Sequence, residues 1–343
     1  MVNKSHIIGK LVFDVVADYS KRQNDTKLAF FNYLSKGKSK KDFEKIANKL
    51  WGNIDHNFME KQVSKLEDII HDENVKIAAL YKGKQVLTTK KGNTKYLKLV
   101  PESEFNKVEE RFKDRAVKYY EKSLNSVESN DLDSETYLSS KIRSYDENVN
   151  QAVAYYNKEG HVIRHVDISS YLSMLHNTNL TRSAWNTTLN DADRLGAETF
   201  VIRPHPFSCD ECREMQGIPL SLDEVMSEFG VDEETEGDLL HPNCKCVLSI
   251  LWSDKQLEEM QNSLSDYSDE ELHEQYEIRQ KVNGATLQRE RIENDRNIAK
   301  MLGNEGLVDK YDKKIEKLNE KIETLVNTLP TNSLKKQVEA IYR

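Results

Sequence analysis

The sequence F-S-C-D-E-C-R at Phe207–Arg213, together with L-H-P-N-C-K-C at Leu240–Cys246, contains all 4 cysteines of this chain of 343 residues. Cysteines that served only as packing residues would be scattered along the chain, whereas these lie in two close pairs. The pattern therefore predicts that both pairs share one chemical task and staple one compact module. The candidate site residues are Cys209, Cys212, Cys244 and Cys246.

Disulfide bonds and a metal site are two kinds of chemistry that use such pairs. Disulfides need an oxidising compartment. The first apolar stretch, Leu11–Tyr19, is interrupted by Asp14 and Asp18, so it fails as the uncharged core of a secretory signal. Zinc takes four tetrahedral ligands, and C-x-x-C allows one turn to supply two of them. The sequence therefore favours a structural zinc ion bound by the cysteines.

The fourth zinc ligand is left open by the sequence. C-x-C is a less usual pair than C-x-x-C, so the last position belongs to either Cys246 or His241. His205, between two prolines, either replaces a thiolate or packs in a loop. Without a metal, the cysteines would form two buried reduced pairs or a redox-labile pair. The acidic run at residues 223–238 is typical of solvated surface, because it lacks the oxygen spacing of an EF-hand.

Apolar residues recur with the helical period of about 3.6 residues through most of the chain. The clearest helical stretches are Phe105–Leu124, Tyr171–Leu195 and nearly everything after Trp252. In the last of these, an apolar seam is formed by Tyr311, Ile315, Leu318, Ile322 and Leu325. The seam lasts about two heptads, which is enough to dock on helices of the same chain or of a partner.

Short runs of β-branched or alternating residues predict a few strands. Val75–Tyr81, Gln85–Thr89 and Thr94–Val100 are separated by turns at Gly83 and Gly92, a pattern that predicts a three-stranded meander. Further strands are predicted at Ala152–Tyr156, Val162–Val166 and Thr199–Ile202.

Together these patterns predict a mostly helical α+β protein. Residues 1–130 are expected to form a helical domain, with the β-meander at about 75–100. Residues 131–252 are expected to form the Cys-stapled α+β module, and residues 253–343 a helical tail.

Charge is distributed unevenly along the chain. The net charge is −8, yet residues 1–125 carry +9 and the remainder carries −17. A basic region can approach phosphate, so residues 1–125 are candidates for non-specific contact with duplex DNA, although their interspersed acidic groups are more typical of a solvated helix face. No apolar run approaches the roughly 20 residues that cross a bilayer. We therefore expect no membrane contact, and a protein that stays in the cytoplasm where it is made.

Recognisable catalytic motifs are missing from the sequence. It contains no G-x-S-x-G, P-loop, dinucleotide fingerprint or H-E-x-x-H pattern. Its H-x-E, at His71–Glu73, lies far from the C-x-x-C that a zinc deaminase would place after it. We therefore expect that the protein is not an enzyme. The alternative is a zinc-scaffolded nuclease, or another enzyme acting on nucleic acid, that uses Asp238, His241 and Asn243.

The H-P-N-C-K-C sequence at His241–Cys246, preceded by C-D-E-C-R-E-M-Q-G at Cys209–Gly217, resembles the signature of the minor capsid, or minor head morphogenesis, proteins of tailed phages. This family is typified by the Mu F-like proteins and the related minor capsid proteins of Gram-positive phages, in which the ending is usually H-P-N-C-R-C. Lys245 therefore stands where the family usually has arginine. The likeness spans Tyr155–Leu248, under a third of the chain, and includes the helical sequence Leu180–Asn186.

The resemblance implies a low-copy structural protein of the virion, located in the head interior or near the portal vertex after assembly in the host cytoplasm. It also implies a role in head morphogenesis, with DNA packaging or ejection as a further role. The expected partners are the portal protein and other head proteins. None of these expectations follows from periodicity or charge.

Overall fold

The computed structural model describes residues 4–52, 56–82, 96–126, 131–151, 153–156, 162–229, 244, 246–264, 267–329 and 335. Within these residues, helices α1 to α11 span Lys4–Ser35, Lys40–Trp51, His56–Lys82, Glu102–Leu124, Glu135–Tyr145, Ile168–Leu195, Asp210–Glu214, Leu222–Phe229, Asp254–Asn262, Asp269–Met301 and Glu305–Asn327. Strands β1 to β5 span Val153–Tyr156, Val162–Val166, Thr199–Ile202, Pro219–Ser221 and Leu248–Ile250. A 3-10 turn at Asp131–Asp133 precedes α5, and a π-helical segment at Asp146–Asn150 follows it. The mostly helical α+β class is confirmed.

The fold divides into two compact units, each assembled from three separate stretches of chain. Unit 1 consists of Met1–Asp14, His56–Val100 and Met174–Gln280, and unit 2 of Val15–Asp55, Pro101–Ser173 and Lys281–Arg343. The sequence-based division into residues 1–130, 131–252 and 253–343 followed chain order, whereas these units combine distant stretches. Three of the boundaries fall inside helices, in α1, α6 and α10, and the other two fall directly before α3 and shortly before α4.

The expected β-meander is wrong at its first strand. Val75–Tyr81 forms the last turns of α3, because its apolar residues continue the helical spacing of Leu66, Ile70 and Ala78, which are all fully buried. The second expected strand, Gln85–Thr89, lies outside the described residues. Residues 96–100 of the third form no strand, since side-chain amides of α6 bind their backbone instead.

A three-stranded antiparallel sheet lies in unit 1, in the order β4-β3-β5. The central strand β3 matches the expected strand Thr199–Ile202. Its Val201 pairs with Pro219 on one side and Ser249 on the other. Phe200 and Ile202 are buried in one apolar cluster with Trp185 of α6. The core of unit 1 therefore lies between this small sheet and α6.

Strands β1 and β2 form the expected antiparallel hairpin in unit 2, with Val153 opposite Val166. Its turn, residues 157–161, lies outside the described residues.

Aromatic side chains form the core of unit 2. The ring of Phe30 in α1 packs edge-on against Phe43 of α2, Tyr120 of α4 and Tyr145 of α5, at centroid distances of 5.7, 5.4 and 4.8 Å. Phe31, Trp51 and Phe112 are buried as well. One cluster of rings therefore joins four helices.

The expected helical character after Trp252 is confirmed by α9, α10 and α11. In α11, Tyr311 and Leu318 of the apolar seam are buried. Tyr311 hydrogen-bonds to Ser139 of α5, and Lys310 pairs with Glu135 at 3.6 Å. The seam therefore packs on a helix of its own chain. Within the described part of the chain, every helix is too short or too polar to cross a membrane.

Candidate metal centre

The first cysteine pair lies at the start of α7. Cys209 precedes this helix with an extended backbone, and its Sγ accepts a hydrogen bond from the amide of Cys212 at 3.4 Å. Cys212 is 2% exposed, whereas Cys209 is partly exposed. The C-x-x-C spacing thus caps the short helix with one sulfur and buries the other.

The second pair lies directly before β5. Cys244 and Cys246 are 3% and 1% exposed, and the amide of Cys246 donates to the Sγ of Cys244 at 3.4 Å. A hydrogen bond to sulfur favours its ionised form, which is the form that binds metals. Both pairs therefore have the same local arrangement: the sulfur of the first cysteine accepts a hydrogen bond from the backbone amide of the second.

Three of the four sulfurs converge. The Sγ atoms of Cys212, Cys244 and Cys246 all lie within 4.8 Å of one another, and none of the cysteines is in a disulfide. The distance between the sulfurs of Cys212 and Cys244 is 3.8 Å. A tetrahedral zinc site with Zn–S bonds of about 2.3 Å has sulfurs about 3.8 Å apart. Three buried cysteines are therefore close enough to bind one metal ion.

His205 places an imidazole beside one of the three sulfurs. It lies in the loop between β3 and α7, is 9% exposed, and places its Nε2 3.6 Å from the Sγ of Cys246. The sequence left His205 open as either a thiolate replacement or a loop-packing residue, and its position beside a thiol suits the first role. Cys209, at the start of α7 beside Cys212, is the other described candidate for a fourth ligand. Neither its sulfur nor the imidazole of His205 lies within 4.8 Å of all three converging sulfurs, so either residue would have to move toward a bound ion.

Gln216 connects the histidine to the cysteines. Its Nε2 lies 3.6 Å from the Sγ of Cys246, while its Oε1 accepts hydrogen bonds from the amide of His205 at 3.3 Å and from the Oγ of Ser208 at 3.1 Å. An amide N–H that faces a sulfur stabilises negative charge on that sulfur. Gln216 therefore orients the loop that carries His205, and it also offers a hydrogen-bond donor to the thiol of Cys246.

A row of donors on α6 fixes the backbone that carries the second pair. Asn177 and Thr181 both donate to the carbonyl oxygen of Cys244 at 3.0 Å. Trp185 donates through its Nε1 to the carbonyl of Cys246 at 2.9 Å. Side chains four residues apart share one face of a helix, so this face holds the cysteine segment in place.

Without a cation, ionising the three buried thiols of the cluster is unfavourable. Hydrogen bonding with the thiols of Cys244 and Cys246, together with burial, raises the pKa of the Cys212 thiol well above its ordinary value. Three thiolates at this spacing need a positive charge among them, which a metal ion supplies as the ligand protons leave.

Gly217, the last residue of the C-D-E-C-R-E-M-Q-G sequence, has a structural reason for being glycine. Its φ is +74°, a left-handed conformation that side chains disfavour. A Cβ atom there would lie 3.3 Å from the Cγ of Gln261. Its amide donates to the carbonyl of Ile202 in β3 at 3.0 Å, so the turn closes onto the sheet.

The structure thus brings together three of the site residues that the sequence selected, Cys212, Cys244 and Cys246. Cys209 adjoins them through the amide of Cys212. His241 lies outside the described residues, as do Asp238 and Asn243 of the nuclease alternative.

The supporting residues were not selected from the sequence. Gln216 carries no spacing signal of its own. The donors Asn177, Thr181 and Trp185 recur every four residues, which is a readable pattern once a buried polar helix face is suspected.

Comparisons of the chain with protein-family models, with curated proteins and with solved structures give no match.

Proposed function

We propose that Cys212, Cys244 and Cys246 hold a structural zinc ion, and that the module they staple belongs to a non-enzymatic minor capsid protein of a tailed phage. The observation that carries the proposal is the convergence of these three buried sulfurs, two of which belong to the H-P-N-C-K-C sequence and one to the C-x-x-C pair before it.

Zinc is the metal that the donor set suits best. Thiolates and imidazole select zinc over the hard cations that prefer oxygen. The fourth ligand is His205 or Cys209 among the described residues, with His241 as the further candidate from the sequence.

The burial of the site supports a structural rather than a catalytic role. Catalytic zinc sites keep one position open for water or substrate, whereas structural sites are closed by protein ligands. Here the three cysteines are at most 3% exposed. The backbone carbonyls of Cys244 and Cys246 are hydrogen-bonded to side chains of α6. These bonds leave the segment that carries the second cysteine pair little freedom to rearrange around a substrate.

A metal ion here would join distant parts of unit 1. It would tie the turn at Cys212 to the segment at Cys244 and so fix both ends of the intervening stretch of chain. Closing a loop restricts the unfolded chain, and metal–ligand bonds add free energy that the unfolded chain lacks. The small sheet β4-β3-β5, whose strands are only three or four residues long, would gain most from this link.

Metal analysis tests the zinc site. Protein purified under reducing conditions is expected to contain about one zinc per chain, and Cys244→Ser is expected to lose it. His205→Gln and Cys209→Ser compare the two described candidates for the fourth ligand, with His165→Gln, an exposed histidine of β2, as the matched control. A metal-free chain that is fully folded would contradict the proposal and favour packed thiols.

The virion role is supported by the H-P-N-C-K-C resemblance. We infer a location in the head interior or at the portal vertex, with the portal protein and other head proteins as partners, after assembly in the host cytoplasm. Any DNA contact would fall to residues 1–125 and should weaken steeply as salt rises. Mass spectrometry of purified virions and of empty proheads tests the role: low-copy incorporation is expected, and its absence from both particles would contradict it.

A further inference from the structure

Metal binding is one of two kinds of link that the converging sulfurs can form, and a disulfide is the other. The Sγ atoms of Cys212 and Cys244 are 3.8 Å apart, and neither residue is in a disulfide. A disulfide bond is about 2.0 Å long, so the two sulfurs would have to approach by about 1.8 Å. Small rotations of both side chains supply that movement while the backbone stays in place.

Cys246 is a less suitable disulfide partner than Cys212 for the sulfur of Cys244. Its own sulfur has two polar neighbours, since the Nε2 atoms of Gln216 and His205 each lie 3.6 Å from it. A single residue separates Cys244 from Cys246, whereas Cys212 and Cys244 are 32 positions apart. Closing the longer loop restricts the unfolded chain more and so stabilises the fold more.

A disulfide between Cys212 and Cys244 would join the same two segments as a bound ion. One cysteine lies in α7 and the other directly before β5. The carbonyl of Cys244 is hydrogen-bonded by Asn177 and Thr181 of α6, each at 3.0 Å, and these bonds involve no metal ligand atom. The disulfide would therefore preserve the arrangement of α6, α7 and β5 after the ion has left.

Cys209 gives the cluster an accessible sulfur. It is partly exposed, whereas Cys212 and Cys244 are 2% and 3% exposed. Its sulfur already accepts the amide of Cys212 at 3.4 Å, and thiols at the C-x-x-C spacing form disulfides with each other in oxidoreductases. An oxidant from the solvent therefore reaches Cys209 first, and Cys212 is the next sulfur along the chain.

We propose, on the premise of the zinc site inferred above, that oxidation replaces the ion by a disulfide between Cys212 and Cys244. The module would then keep a covalent link between its two cysteine segments without a metal. A virion protein assembled in a reducing cytoplasm later meets surroundings in which disulfides persist. Exchange of one link for the other would keep unit 1 folded in both environments.

Hydrogen peroxide as the oxidant accounts for every atom of the exchange. The thiol of Cys209 attacks peroxide, the O–O bond breaks, and a sulfenic acid and water form. The sulfur of Cys212 displaces a second water from that sulfenic acid. The sulfur of Cys244 then attacks Cys212, which forms the final disulfide and returns Cys209 to a thiol. Two sulfurs lose one electron each, peroxide is reduced to two waters, Zn²⁺ leaves, and two protons come from solvent.

Peroxide treatment of the zinc-loaded full chain tests the proposal. About one zinc per chain should be released, as measured with a colorimetric zinc indicator, and one disulfide should form. A chain without zinc before oxidation would contradict the proposed zinc site. A zinc-bound chain in which peroxide produces no bond between Cys212 and Cys244 would contradict the exchange alone.

Peptide mapping identifies the disulfide. Trypsin cleaves after Arg213 and Lys245, and Glu-C protease cleaves after Glu211, so the combined digest separates all four cysteines. Mass spectrometry of the digest should show Cys212 joined to Cys244 as the final product. Any other cysteine pair in that product would overturn the proposal.

Hydrogen exchange tests whether the disulfide takes over the role of the ion. Strands β3 and β5 should keep slow amide exchange in the oxidised, zinc-free chain and should lose it when dithiothreitol and a chelator are added. Loss of protection in the oxidised chain itself would overturn the proposal.

Three cysteine variants separate the steps. Cys246→Ala removes a metal ligand but keeps the disulfide pair, so it should lose zinc and regain protection of β3 and β5 after peroxide. Cys212→Ala should lose zinc and gain nothing from peroxide. The opposite result in either variant would overturn the proposal. Cys209→Ser should form the disulfide more slowly, and an equal rate would overturn the route through Cys209.

Discussion

The two units of this protein are stabilised in different ways. In unit 1 the long helix α6 buries polar side chains, and its Asn186 both accepts from the amide of Leu97 at 2.7 Å and donates to the carbonyl of Leu97 at 2.9 Å. In unit 2 the ring of Phe30 packs within 6 Å of five other aromatic rings. Unit 1 therefore depends on directional partners, and unit 2 on volume and shape.

The difference has a physical consequence. A buried hydrogen-bonding group that loses its partner incurs its desolvation cost, whereas an apolar core tolerates replacement by residues of similar volume. Buried pairs such as Asp191 with His71, at 2.7 Å, and with Asn74, at 2.9 Å, extend the directional network of unit 1. Unit 1 should therefore respond sharply to chemical changes that leave unit 2 intact.

Metal removal should produce the largest difference between the two units. Structural zinc in small domains contributes about 10–16 kcal/mol of apparent binding free energy, so chelation, or Cys246→Ser, is expected to abolish slow amide exchange in β3 and β5. Helices α2 and α4 should keep their protection. Hydrogen exchange read by mass spectrometry measures both. Equal loss of protection in unit 2 would show that the two units do not differ in their dependence on the metal.

Phe30→Ala should be the most damaging single change in the aromatic core. Removing a buried phenylalanine side chain costs about 3–5 kcal/mol, and this ring contacts residues from three other helices. Phe30→Leu, which keeps most of the volume, should cost about 1.5 kcal/mol or less. Urea unfolding gives both values. A Leu variant as unstable as the Ala variant would mean that ring geometry, rather than volume, sets the stability of unit 2.

Asn186→Leu tests the directional core of unit 1. The change keeps the size of the side chain but leaves the amide and carbonyl of Leu97 without their partner, at a cost of about 2–4 kcal/mol. Thr187→Ala is the matched control, because that hydroxyl bonds to the Ser183 carbonyl of its own helix, and it should cost under about 1 kcal/mol. Similar midpoints in urea for the two variants would argue against a directional core.

Acidity should act with opposite signs in the two units. Burial lowers the pKa of His176 in unit 1 to about 4, and burial raises the pKa of Glu109 in unit 2 to about 7. The folded state favours neutral His176, so its contribution is present above the ordinary pKa and is lost as pH falls toward 4. The folded state also favours neutral Glu109, whose contribution is present at low pH and is lost as pH rises through 7.

Thermal unfolding of two variants isolates these terms. Glu109→Gln should match the wild type at pH 5 and exceed its melting temperature at pH 8. His176→Gln should gain on the wild type as pH falls from 7.5 to 5. If the melting temperatures of a variant and the wild type change in parallel with pH, the substituted residue does not contribute to the pH dependence of stability.

Local patterns in the sequence predicted much of the fold. Periodicity was sufficient for α4, α6 and the three C-terminal helices, and short runs of β-branched or alternating residues were sufficient for β1, β2 and β3. Val75–Tyr81 was misread as a strand because its Val and Ile residues favour strands, while the helical spacing that continues from Leu66 decided the outcome.

The candidate site was predicted only where its signal is local. Paired cysteines are visible in a sequence, so Cys212, Cys244 and Cys246 could be named in advance. Gln216 and the role of His205 depend on how the loop after β3 folds back to Cys246. Asn177 and Thr181 are 67 and 63 residues away from Cys244, whose carbonyl they bind, so no local pattern could have paired them.

The donors along α6 also determine where the chain can tolerate a change of length. Four residues of helix advance about 6 Å, nearly the same as two residues of strand, about 6.6 Å, so Thr181 and Trp185 reach the carbonyls of Cys244 and Cys246 in step. Thr188 continues to Leu248 at 3.3 Å. One inserted residue in either segment would shift every later donor out of phase. We therefore expect changes of length to be tolerated only outside this match, such as in the acidic run between the two cysteine pairs.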